Sequence, residues 1–134
     1  MPQLRFEAPM ATGFPDIDEQ HQLFLDMVSE LGTRIGEGAH RQGLLDALQG
    51  MRIYADTHFC DEEAVMSGRC YPELEAHCRL HETFRRMIGE LEARAKDGPG
   101  LVSLEMLEFL GEWFIGHIRN EDQRFAAYAK SHPA

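Results

Sequence analysis

The chain has 134 residues and a mass of 15.3 kDa, a length that predicts one domain with a real core. Thirteen Lys and Arg against 23 Asp and Glu leave a formal charge of −10, which argues against nucleic-acid or anionic-membrane binding because such a chain repels phosphate. Hydrophobic residues at 43% and charged residues at 27% exclude a disordered composition.

The first residues lack a basic region followed by a long apolar run, so no signal peptide is expected. No stretch approaches the roughly 18 consecutive apolar residues of a membrane-spanning helix. The three cysteines, Cys60, Cys70 and Cys78, are odd in number and lack C-x-x-C spacing; they predict a reducing, cytoplasmic setting rather than a disulfide framework.

Residues 1–14 are expected to form an N-terminal arm, and residues 15–130 the domain. Alternating strand patterns are almost absent, and apolar residues recur at three and four. The first helix opens at Pro15-Asp16-Ile17-Asp18, where an aspartate is expected to cap it. Phe24, Leu25, Val28, Leu31 and Ile35 share one face, and Gly36 and Gly38 end it. The second helix is expected after Gly43, with Leu44, Leu48, Met51, Ala55 and Phe59 as its stripe, continued by Val65 and Met66 toward Gly68. A turn at Ser67-Gly68-Arg69-Cys70-Tyr71 follows, with Pro72 placed for the first turn of the third helix. That helix carries Leu74, Phe84, Ile88 and Leu91 and stops at Lys96-Asp97-Gly98-Pro99-Gly100. The fourth runs from about Leu101 to Tyr128, through Leu104, Leu107, Leu110, Phe114, Ile118 and Phe125. Four long amphipathic helices with short connections predict an all-α, antiparallel up-down-up-down four-helix bundle.

Polar residues fall on the predicted inner faces. His21 precedes Phe24 and Leu25 by three and four, and His58 and Glu62 are four apart, as are His77 and His81. His117 lies between Phe114 and Ile118. Asp122 follows it by five residues, about 140° round an ideal helix, so its reach is not obvious. A single His on an apolar stripe is ordinarily a satisfied core histidine, and each pair at four-residue spacing is a weak signal by itself. The conjunction carries the weight. Every predicted helix places a His inward, and even one unpaired buried polar group costs roughly 1–3 kcal/mol. A metal centre would neutralise the set. Five imidazoles and two carboxylates are too many for one tetrahedral zinc and too rich in nitrogen for calcium or magnesium. Two six-coordinate transition-metal ions fit, and imidazole with carboxylate suits iron. Two bridging carboxylates and a bridging oxygen would give each ion three ligands. Five histidines then complete one ion and leave the other with one open position.

These residues resemble the hemerythrin family, specifically its small bacterial members. The resemblance rests on Phe14-Pro15-Asp16-Ile17-Asp18-Glu19-Gln20-His21, His58-Phe59-Cys60-Asp61-Glu62-Glu63-Ala64-Val65-Met66, His77-x-x-x-His81, and Trp113-Phe114-Ile115-Gly116-His117 with Asp122 beyond, and it extends from about Phe6 to Tyr128. It implies that His77, His81 and His117 complete one iron and that His21 and His58 bind the other. Glu62 and Asp122 would bridge the two irons (Fe2+/Fe3+), with an oxo or hydroxo group between them. It further implies reversible dioxygen binding at the open position, for storage, delivery or sensing, rather than enzymatic turnover. Phe24, Phe59, Trp113, Phe114 and Ile118 are expected to line the ligand pocket and exclude water; simple core packing is the competing role for each.

Two positions depart from the pattern. Phe114 stands where the family usually has a smaller aliphatic residue, and Phe6 where many bacterial members have Trp. Cys60 and Cys78 are expected to be small buried hydrophobes, Cys70 a reactive loop thiol, and His40 and His132 surface residues. The alternatives are a di-iron redox enzyme acting on peroxide or nitric oxide, and an oxygen or redox signalling module acting on a partner in trans. Oxygen-activating di-iron bundles use carboxylate-rich sets with paired Glu-x-x-His motifs, which the helices of this chain lack. An oxygen-using or electron-donor protein partner is left open.

Overall fold

The structure is a computed structural model that describes residues 4, 7–38 and 40–133. Its helices are α1 (Pro15–Gly36), α2 (Arg41–Gly68), α3 (Leu74–Asp97), α4 (Leu104–His117) and α5 (Gln123–Ser131), with 3-10 turns at Ala8–Met10 and Pro99–Leu101. A π-helical turn, Ile118–Asp122, joins α4 to α5, so the fourth predicted helix is one rod with a widened turn inside it. No strand is present among the described residues. α1 packs against α2 and α4, and α3 packs against α2 and α4, closing a four-rod ring. The pairings Arg52–Glu92, Asp56–Arg85 and Glu63–His81 run in opposite residue order, so α2 and α3 are antiparallel. No described helix is long and apolar enough to cross a membrane.

The stripes read from the sequence become the core. Phe24, Leu25, Leu48, Met51, Phe84, Ile88, Leu107 and Leu110 are buried in one large cluster. Met66, Tyr71, Phe125 and Ala129 form a smaller one, flanked by Phe14, Leu74 and Tyr128. Residues preceding α1 are tied to the bundle. Leu4 N–H donates to Ser29 Oγ at 2.9 Å, Met10 is wholly buried, and Gln123 Nε2 donates to the Met10 carbonyl at 2.9 Å. Phe6 lies outside the described residues.

Several local expectations are corrected. No side chain caps α1; its N-cap is Phe14, with Pro15 in the first turn. Asp18 instead accepts from Thr12 N–H at 2.9 Å and Thr12 Oγ1 at 2.8 Å, which pins the segment entering the helix. α2 begins at Arg41, so Gly43 lies within its first turn. Pro72 stands in the turn before α3, which starts at Leu74. The reason is the way α2 ends. Tyr71 N–H reaches back to the Met66 carbonyl at 3.0 Å and Cys70 N–H to that of Ser67 at 3.0 Å, a Schellman closure with Cys70 in the left-handed region at φ 54. Cys60 is exposed and Cys78 half-buried; neither is the buried hydrophobe expected, because each follows an inward residue by one and is turned about 100° away from the core. His40 and His132 are exposed, as expected, and Cys70 is exposed as well.

A candidate metal centre between the helices

The seven polar residues meet in one layer between the two apolar clusters. α1 contributes His21, α2 His58 and Glu62, α3 His77 and His81, α4 His117, and the π turn Asp122. Their exposures run from 0% to 5%. The helices place them by period: residues four apart stack on one face, which brings His58 over Glu62 and His77 over His81. Asp122 needs a different device. Its position five residues beyond His117 would carry it off that face in a regular α-helix, and the π turn absorbs the extra residue. Asp122 Oδ1 consequently lies 3.3 Å from His117 Nε2.

The carboxylates divide the layer into two halves. Glu62 Oε2 lies 3.4 Å from His21 Nε2 and 3.5 Å from His58 Nε2. Its other oxygen, Oε1, lies 2.8 Å from His77 Nε2 and 3.1 Å from His81 Nε2. Asp122 repeats the division, with Oδ2 3.1 Å from His21 Nε2 and Oδ1 3.1 Å from His77 Nε2. Each carboxylate thus turns one oxygen to each half.

The donor set fits metal ions better than it fits itself. His117 Nε2 and His77 Nε2 are 3.2 Å apart, close to the roughly 3 Å between neighbouring ligands of a six-coordinate ion with bonds near 2.1 Å. Glu62 Oε2 and both Asp122 oxygens are buried without an aligned hydrogen bond, a costly state for a carboxylate unless a cation meets it. Single ligand atoms from Glu62, His77, His81 and His117 converge as one group, and those from His21, His58 and Glu62 as another.

Electrostatics shows how the cluster compensates as side chains alone. Burial pulls the His21 and His77 pKa values down, but Asp122 and Glu62 outweigh it and raise both to about 9. Burial wins at His58, which is lowered to about 4 despite Glu62. Burial and mutual repulsion favour protonating Glu62, yet His21, His77 and His81 hold it well below the carboxylate range. Asp122 is lowered likewise, burial being overcome by His117, His21 and His77. Protons on imidazole thus occupy the role that a metal ion would take.

The aromatic residues pack differently around the two halves. Phe59 stacks on His81 with centroids 3.9 Å apart, and Trp113 stacks on His117 at 5.2 Å with planes 7° apart. Phe114 lies edge-on to His21 at 5.7 Å and to His58 at 6.1 Å, with Phe24 behind it at 4.5 Å. Ile118 is fully buried in the same core.

Two outer residues escaped the sequence reading. Gln20 Oε1 lies 2.8 Å from His58 Nδ1, and Glu63 Oε2 lies 2.6 Å from His81 Nδ1. Each sits one residue from a candidate ligand, and adjacency on a helix does not by itself reveal which neighbouring helix a side chain faces.

The family model described as "Hemerythrin HHE cation binding domain" covers residues 12–129. The chain belongs to the hemerythrin family. It is 30% identical to a bacteriohemerythrin of Stenotrophomonas maltophilia (strain R551-3) over 98% of this chain and 85% of that protein. It is also 30% identical to a bacteriohemerythrin of Pseudomonas aeruginosa (strain PAO1), over 91% and 78%. A solved hemerythrin carrying a single leucine-to-tyrosine substitution superposes with a TM-score of 0.85 at 24% identity, over 95% of this chain and 97% of that one; that likeness bears on the fold. As a hemerythrin, the chain has the four-helix fold and the inward histidines expected from its stripes.

Proposed function

We propose that this hemerythrin binds dioxygen reversibly at a non-haem di-iron centre. His77, His81 and His117 would hold one iron and His21 and His58 the other, with Glu62 and Asp122 supplying carboxylate oxygens to both halves. The carrying observation is that both carboxylates turn one oxygen to a three-histidine group and one to a two-histidine group. When bound, the iron pair supplies reversible electron transfer to dioxygen at the ion with one ligand fewer.

The protein's own residues set the conditions. Phe114 and Phe24 wall the His21–His58 side and exclude water, and Phe59 and Trp113 brace the ligands of the other side. Ile118 closes the apolar lining. Five imidazoles with two carboxylates differ from the carboxylate-rich sets of oxygen-activating bundles, which supports a carrier, store or sensor over an enzyme. Three free thiols support a reducing, cytoplasmic setting, and residues 15–130 act as the domain, with 1–14 as its arm.

The test is iron content and colour. Reduced protein prepared without air should hold about two irons per chain and gain a visible absorption band on aeration, then lose it under vacuum. Colourless protein carrying one zinc would overturn the reading.

A further inference from the structure

The two halves of the centre differ in what stands behind their histidines. His81 Nδ1 faces the Glu63 carboxylate at 2.6 Å, and Glu63 is only 25% exposed along its side chain. His58 Nδ1 faces the Gln20 amide oxygen at 2.8 Å. Gln20 is itself held from outside, its Nε2 donating to Asp61 Oδ2 at 2.8 Å. Both contacts require the imidazole to carry a proton on Nδ1, which leaves the inward Nε2 as the atom that would donate its lone pair to a metal ion. In that they are alike. They differ in charge: one acceptor is an anion in direct contact, the other a neutral amide with its anion one residue farther out.

A carboxylate behind an imidazole fixes its tautomer and strengthens it as a donor more than an amide does. We propose that Glu63 and Gln20 are positioning residues that make the two halves unequal, so that the ion held by His81 is retained more tightly than the ion held by His58. The inference rests on the di-iron reading. It adds to that reading an order of retention, set by residues that touch no metal. The half with the amide is also the half with one histidine fewer, so ligand count and outer charge push in the same direction. Substitutions at the outer residues separate the two effects, because they leave the ligand count untouched.

The experiment follows iron release from the loaded protein into excess ferrous chelator by stopped-flow absorbance. In wild type, two phases of equal amplitude are expected. Glu63→Gln keeps the shape and the hydrogen bond but removes the charge, and should speed the slow phase by about 10- to 100-fold with the fast phase unchanged. The paired substitution Gln20→Glu with Asp61→Asn moves the anion one residue inward at constant net charge, and should slow the fast phase. The far-UV circular dichroism of each metal-free variant, which misfolding would change, should match wild type. Because the paired variant is expected to gain retention, misfolding cannot imitate its result. Wild-type protein that does not hold two irons overturns the functional reading. Two irons released at rates that neither variant changes overturn this inference alone.

Discussion

His77 and His40 are the same side chain in opposite surroundings. His77 is 2% exposed and lies within 3.2 Å of Glu62, Asp122 and His117 atoms, whereas His40 is exposed at the start of α2. His77→Ala should therefore lower the iron bound per chain, and His40→Ala should leave it at the wild-type value; equal loss in both, measured by metal analysis, would contradict the assignment. Cys70 supplies a prediction of a different kind. It occupies the left-handed position that closes α2, where a side chain costs about 1 kcal/mol and glycine fits without strain. Cys70→Gly should raise stability in denaturant unfolding by up to about 1 kcal/mol, and a loss of stability would mean that the thiol makes an unrecognised contact. Phe114 is fully buried against Phe24 and Phe84. Phe114→Leu removes buried volume and should cost about 1–2 kcal/mol while speeding oxidation of the air-loaded protein, read as faster bleaching of its visible band.

Among the elements, the π turn decides the most. It lets α4 and α5 keep their apolar faces on the core while inserting the residue that returns Asp122 to the site. A π turn is an α-helix with one residue added. Deleting the exposed Asn120 should leave a continuous α-helix with the aspartate four residues from His117, on the same face. Circular dichroism should show helicity retained, and metal analysis should show iron retained. Inserting an alanine after Asn120 should rotate the carboxylate off the site and abolish loading. The segment preceding α1 braces this turn, through Gln123 on the Met10 carbonyl and the Glu7–Arg119 ion pair at 3.1 Å. The latter pair is exposed and contributes little.

For the whole molecule, the buried cluster links metal, protons and stability. In metal-free protein His21 and His77 are raised to about 9 from an ordinary 6.5. A raised histidine stabilises the fold fully below its unfolded value and loses that contribution as pH climbs through the folded one. The thermal midpoint of metal-free protein should thus fall between about pH 6.5 and pH 9, while iron-loaded protein, whose imidazoles are neutral, should hold its midpoint over that range. Iron loading must displace these protons, so its apparent affinity should rise over the same interval and acid should release the metal. A metal-free midpoint flat with pH, or iron retained after prolonged dialysis in acid, would contradict this.

Periodicity determined the elements. Stripes such as Phe24, Leu25, Val28 and Leu31 have one buried solution, a bundle, and histidines on those stripes had to enter its core. The composition of that inward set, five imidazoles with two carboxylates, also carried the metal class, because donor chemistry belongs to the residue and not to its place. Three things waited for the tertiary structure. Asp122 lay off the face by ideal helical geometry, and only a π turn, stabilised by packing on both sides of it, brings it in. Gln20 and Glu63 became outer partners because neighbouring helices bring them to His58 and His81, contacts that no local spacing encodes. The pairing of single oxygens with single histidines came last: sequence positions name ligands, but which oxygen of Glu62 or Asp122 meets which histidine depends on how four rods are set against one another.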